Sequence, residues 1–181
     1  MSDWIKKIEP RYGYYIAGFV DGEGSFNVSI VDRPDYQTGV KILLSFNISQ
    51  KDRVILAFIK KVMQCGHLRE RSDGVVYYEV NNVHAIIENV IPFFERFGFM
   101  SAKKKKNFSL FKKIVYLVQS GKHLNEEGLQ EIFSVRELLN EGKGLKRKYE
   151  FKEKKLINNK NGKILRDYTQ DTPSASNADR A

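Results

Sequence analysis

Cysteine is nearly absent from this sequence of 181 residues, where Cys65 stands alone. A single thiol excludes an intramolecular disulfide framework and a cysteine-based zinc cluster, and it suits a reducing compartment. Cys65 itself reads as a small packing residue at a helix end. Histidine is almost as scarce, and His67, His84 and His123 are too scattered to make a metal or acid–base set. No apolar run approaches the roughly 20 residues that span a bilayer. No charged-then-apolar leader opens the chain, so neither a membrane partner nor a secretory signal is expected. What remains is of ordinary globular composition, 41% hydrophobic and 29% charged, long enough for one domain with a sizeable core and short for two.

Acidic residues are outnumbered, and the net charge is +9. The excess is confined to one part of the chain: residues 1–100 hold 12 Lys+Arg against 12 Asp+Glu, and residues 101–181 hold 19 against 10. On charge alone such asymmetry points to a polyanionic partner, nucleic acid ahead of the anionic membrane surface that nothing else in the sequence favours.

Residues 12–21 are apolar and end in Asp21-Gly22-Glu23-Gly24, a helix-stop signature. Ser25, Asn27 and Ser29 then alternate with Phe26, Val28 and Ile30, the pattern of a half-buried strand. After a loop over residues 32–39, a second strand sets Ile42, Leu44, Phe46 and Ile48 against Lys41, Ser45, Asn47 and Ser49, with Leu43 interrupting the polar face. Apolar spacing becomes helical at Ile55, Phe58, Ile59 and Val62. Two short strands flank the hairpin signal Asp73-Gly74, with His67, Arg69, Arg71, Tyr77, Glu79 and Asn81 in the polar phase. Helical spacing returns from Val83 to Phe94, with a kink expected at Pro92, and two further helices are expected near 103–119 and 126–140. Residues 142–166 carry ten Lys/Arg and two Asp/Glu and read as a flexible basic arm, with 167–181 a disordered tail. The expected fold class is α+β: one domain over residues 1–141, in the order α-β-β-α-β-β-α-α-α, followed by the arm and tail over 142–181.

Four strands with one apolar face require helices on that side. The opposite face is rich in Ser, Asn, Lys, Arg and Tyr. Arginine is the commonest bidentate partner of guanine, and asparagine of adenine, in the DNA major groove, which a β-ribbon can enter. Arg69 and Arg71, two apart, project to one side. Gly18 and Gly22, four apart, leave one helix face bare, at a cost of about 1 kcal/mol each relative to alanine. A closely packed partner helix would offset that cost. Asp21 and Glu23 sit where the helix dipole is negative and carbonyls lack partners, an unfavourable place for acids that a divalent cation would make favourable. Two such helix ends brought together would suit metal-assisted phosphodiester hydrolysis. The other reading of the pentapeptide Asp21 to Ser25 is a plain polar turn leading into the strand.

The string Tyr15-Ile-Ala-Gly-Phe-Val-Asp-Gly-Glu-Gly-Ser-Phe26 resembles the motif of the LAGLIDADG homing endonucleases. Leu44-Ser-Phe-Asn-Ile-Ser-Gln50-Lys is similar to that family's second strand, Gly66-His-Leu-Arg69-Glu-Arg71 to its third, and Pro92-Phe-Phe with the run Lys103 to Lys106 to its lysine-bearing stretch. The resemblance covers roughly residues 12–141. It implies an αββαββα core, a saddle-shaped antiparallel sheet for DNA and additional C-terminal helices. With one motif per chain it also implies a homodimer on a near-palindromic site, cutting double-stranded DNA with Mg2+ and promoting intron or intein mobility. Mn2+ or Ca2+ would substitute for binding. By position, Glu23 and the Gly22 carbonyl would meet the metal, and Gln50 and Lys103 would order water or stabilise charge. Asn27, Ser29, Arg33, Lys41, Ser45, Asn47, Arg69, Arg71, Tyr77 and Glu79 would face DNA, and Ala17, Gly18, Asp21 and Gly22 would meet the second copy. The family often has an arginine in the first turn after the glutamine. Val54 aligns there, and Arg53, one place off, is the nearest candidate; the lysine run leaves Lys105 as an alternative to Lys103. An intron-RNA-binding maturase on the same fold and a non-catalytic DNA-binding regulator are the competing readings. The resemblance places the protein inside a cell, in a bacterial or archaeal cytoplasm or in a chloroplast or mitochondrion.

Overall fold

The period-2 and helical patterns condense into a four-stranded antiparallel sheet with helices on its apolar side. A computed structural model describes residues 3–140; the basic arm and tail expected over 142–181 lie outside the described residues. A short helix α1 (Asp3–Lys6) leads to α2 (Pro10–Glu23), which passes directly into β1 (Gly24–Asp32). Then follow β2 (Val40–Gln50), α3 (Arg53–Met63), β3 (His67–Glu70) and β4 (Val76–Val80). The chain continues through α4 (Val83–Ala85), a π-helical turn (Ile86–Val90), α5 (Ile91–Phe97), α6 (Ala102–Gln119), a 3-10 turn (Lys122–Leu124) and α7 (Glu126–Glu137). No helix among the described residues is long and apolar enough to cross a membrane.

The strand order is β1-β2-β4-β3. Alternation places Phe26, Val28, Ile42, Leu44, Phe46, Ile48, Tyr78 and Val80 in the core, because successive strand residues point to opposite faces. Phe26 is the hub, with its ring centroid 5.3 Å from Phe46, 5.4 Å from Phe108 and 5.2 Å from Phe111. These contacts fix the start of β1 against α6. Polar caps set the helix starts: Asp52 accepts from the Val54 amide, Asn82 from Ala85, Ser101 from Lys104 and Asn125 from Gly128.

Three sequence expectations are refined. First, the stop signature Asp21-Gly22-Glu23-Gly24 ends α2 at its last residue. The helix runs through Glu23, and Gly24 is extended (φ −77°, ψ 153°) with its amide bonded to the Val20 carbonyl. Second, the irregularity expected at Pro92 lies one turn earlier. There the Ile91 amide reaches back to the Ile86 carbonyl in a π turn, and Asn89 donates to the Met63 carbonyl at 3.0 Å. Third, the Asp73-Gly74 signal closes a three-residue loop. The Arg71 amide bonds the Val75 carbonyl and the Gly74 amide bonds the Arg71 carbonyl, while Gly74 takes φ +76°, the left-handed position after a type I turn.

Candidate active site and nucleic-acid interface

The last turn of α2 carries the two acids, and the helix turns them to different surroundings. Both Asp21 carboxylate oxygens are engaged: one accepts from the Met100 and Ser101 amides at 3.0 and 2.9 Å, the other from the Ser101 hydroxyl at 2.5 Å. Partial burial pushes the Asp21 carboxyl up, but the Ser101 hydroxyl, the Ser101 and Met100 amides and the nearby Lys104 ammonium outweigh it, leaving the group below its ordinary value. Asp21 therefore ties the end of α2 to the start of α6 within one chain. Glu23 is exposed, and its carboxylate makes no hydrogen bond or ion pair among the described residues. The register Gly24↔Ile48 puts it beside the last residues of β2, so Glu23 and Gln50 share one end of the sheet. The Gln50 side-chain oxygen accepts from the Lys51 amide at 3.1 Å.

The lysine that reaches this junction is Lys104, which donates to the Gly24 carbonyl, the residue after Glu23. Lys103 and Lys105 are exposed and Lys104 is half-buried. This departs from the sequence expectation for physical reasons: Ser101 caps α6, and that cap fixes which lysine of the run faces α2. Four lysines at a helix N-terminus oppose the dipole, and the acidic end of α2 beside them offsets part of that cost. Arg53, three residues after Gln50, pairs with Glu70 of β3 at 3.3 Å; the pairings Gln50↔Val76 and Glu70↔Val76 keep that pair at the Gln50 end of the sheet, two strands across from β2, and Val54 is 76% exposed.

One face of α2 packs in the chain's own core through Gly13, Ile16, Ala17 and Val20. Ala17, expected to meet a second copy, is 3% exposed and belongs to this core; it lies one residue, about 100° of helix rotation, from Gly18. The outer face carries exposed Tyr14, Tyr15, Gly18 and Gly22. A Cβ added at Gly18 or Gly22 would meet nothing within 4 Å among the described residues, whereas one at Gly13 would strike the Phe97 ring.

The strand pairings align the expected DNA-facing residues on one side of the sheet. Ser25 and Asn27 lie opposite Asn47 and Ser45, Asn47 opposite Glu79, and Glu79 and Tyr77 opposite His67 and Arg69. The Arg69 guanidinium lies 5.0 Å from the Tyr77 ring centroid and makes no hydrogen bond or ion pair among the described residues. Arg71, just past β3, donates to the Tyr77 hydroxyl at 3.2 Å and pairs with Asp73 at 3.2 Å. Arg33 lies in the loop after β1, held by Asp35 through a fork at 2.9 and 2.7 Å. Ser29 and Lys41 complete the face near that loop.

A family model described as LAGLIDADG endonuclease matches residues 16–115, more than half of the sequence. The chain belongs to the LAGLIDADG endonuclease family. It is 34% identical over 132 residues to the probable intron-encoded endonuclease 2 of Neurospora crassa, a match that covers 71% of this chain and 29% of that relative. The chain thus spans less than a third of that relative's length. Among solved structures, the I-LtrWI LAGLIDADG homing endonuclease bound to target DNA superposes with a TM-score of 0.70 at 33% identity, covering 74% of this chain and 46% of that one. The homing endonuclease I-TnaI gives a TM-score of 0.67 at 30% identity, covering 75% of this chain and 90% of that one. The α+β architecture with its single antiparallel sheet is the LAGLIDADG fold.

Proposed function

We propose that this chain is a site-specific double-stranded DNA homing endonuclease, acting as a homodimer with a divalent metal, magnesium first, on a long near-palindromic site. The observation that carries the reading is an unengaged carboxylate, Glu23, at the exposed end of α2, beside Gln50 and Lys104, where a polar sheet face begins. That face has the right length. The eleven residues of β2 extend over about 36 Å at the usual strand rise, on the order of ten base-pair steps, or one half-site. The endonuclease relatives, and a structural neighbour described as bound to target DNA, support the same substrate.

Magnesium prefers several hard oxygen donors. The Glu23 carboxylate and the Gly22 carbonyl in the last helical turn are of that kind, but one chain supplies too few. Among the described residues, no group of three His, Cys, Asp or Glu side chains could hold a metal ion. A second copy packed against Gly18 and Gly22 would bring a second Glu23 to the same point, with DNA phosphate oxygens completing the set. The match to 90% of I-TnaI and 46% of I-LtrWI is consistent with this chain being one half of such an assembly. A bound ion would supply activation of water and charge neutralisation at the leaving oxygen. Glu23 would hold the ion, Gln50 would orient water, and Lys104, in the role the resemblance gave to Lys103, would stabilise charge on the phosphate.

The test is Glu23→Gln on a target selected by the wild type. Cleavage should fall to background while the dissociation constant for that target changes little. Loss of specific binding together with cleavage would make Glu23 a structural residue and sink its metal role.

A further inference from the structure

The DNA-facing side of the sheet is polar except at one place. Val31 is 41% exposed and Leu43 is 40% exposed, on the face that also carries Ser29, Lys41 and Ser45. Val31 lies opposite Lys41 and Leu43 opposite Ser29, so Val31 and Leu43 are diagonal cross-strand neighbours. At a diagonal spacing of roughly 7–8 Å, side chains of this size still interact. A scattered exposed leucine needs no special explanation. Two apolar side chains side by side on a face otherwise made for hydrogen bonding need an occupant, because an open apolar step on a sheet invites aggregation. The major groove offers one apolar group, the C5-methyl of thymine.

We propose that Leu43 and Val31 read thymine methyl groups in the outer part of each half-site, a preference that the Ser and Asn side chains around them cannot supply. The inference rests on the DNA-cutting reading above. Its position on the target follows from the strand. Leu43, level with Ser29, stands about 17 Å along β1 from Gly24, and Val31 about 23 Å, at the usual rise per residue. These distances correspond to about five and seven base-pair steps outward from the active site. The neighbouring Lys41 would contact the phosphate backbone and keep this end of the sheet in register with the groove.

The experiment starts from a target selected out of randomised duplex DNA by the wild-type protein, which should carry thymine near those positions in both half-sites. Each outer thymine is then replaced singly by deoxyuridine, which deletes only the methyl group. Affinity is measured with calcium in place of magnesium for wild type, Leu43→Ser and Val31→Thr. Wild type should bind about fourfold more weakly for the methyl lost, the worth of one buried carbon. Leu43→Ser should bind the thymine and deoxyuridine duplexes equally at the inner of the two positions. Val31→Thr, which keeps the branched shape should Leu43→Ser fail to fold, should show a reduced preference at the outer one. A wild type indifferent to every outer methyl, or variants that keep its preference, would overturn the proposal while leaving the DNA-cutting reading intact. Failure of the wild type to prefer any duplex sequence would overturn both.

Discussion

Asp21 and Glu23 stand two residues apart at a helix end where the dipole disfavours both, and their partners separate their roles. Asp21 accepts three hydrogen bonds from Met100 and Ser101, so Asp21→Asn should destabilise the fold by about 1–2 kcal/mol near neutral pH, as for loss of a charged cap. The pH dependence has a fixed sign. The folded carboxyl lies below its ordinary value, so its contribution is complete well above the unfolded pKa of about 4 and disappears as pH falls through the lower folded value. Urea melts of wild type and Asp21→Asn should therefore differ at pH 7 and converge as pH drops below about 4; a constant gap would show that the charge is irrelevant. The acidic pair was legible in the sequence as a candidate site, but the division of labour was not, because Ser101 lies 80 residues away. The contact of Lys104 with the Gly24 carbonyl was hidden for the same reason: which lysine of the run faces α2 depends on where α6 is capped. Cys65 packs as expected. It is half-buried, burial pushes its thiol up, and its carbonyl accepts the buried Tyr78 hydroxyl at 3.0 Å.

At the scale of elements, β1 is an edge strand and is covered rather than left open. The outward carbonyls of Gly24, Phe26 and Val28 accept from Lys104, Asn140 and Arg136 respectively. The last two bonds are 2.8 and 3.0 Å, and Arg136 is 8% exposed. These side chains dock α6 and α7 on the strand that leads away from the candidate site. Arg136→Ala should strand the Val28 carbonyl and remove a packed stem, lowering unfolding free energy by about 2–3 kcal/mol, measurable by urea denaturation. A change under about 0.5 kcal/mol, the size of an ordinary surface substitution, would mean the edge contact is dispensable. The strands and most helices were readable from alternation and helical spacing. The edge contacts were not, since Arg136 and Asn140 look like ordinary polar residues of a terminal helix until the sheet edge beside them is known. Likewise the π turn left no mark in an apolar run whose spacing fits a plain helix.

At the scale of the whole molecule, the outer α2 face has exposed Tyr14 and Tyr15 around two glycines at which an added Cβ would meet nothing among the described residues. If that face meets a second copy, Gly18→Leu should leave the single chain folded, because Gly18 is exposed and a Cβ there has open space among the described residues. It should weaken dimerisation by about 1–3 kcal/mol, the usual cost of overpacking, or roughly five- to 150-fold in Kd. Sedimentation equilibrium with circular dichroism separates the two effects, and an unchanged dimer would move the interface elsewhere. The glycine spacing was visible in sequence, while the placement of Ala17 on the core side required the helix phase. The central claim, that this fold is a metal-dependent DNA-cutting dimer, is tested most directly by incubating the purified chain with a randomised double-stranded DNA library, with magnesium and with a chelator. Discrete cuts at a near-palindromic site about twenty base pairs long, two of the half-sites that the sheet can span, are expected with magnesium and should vanish with the chelator. A folded dimer that cuts no sequence, or that cuts equally well with the chelator, would contradict it.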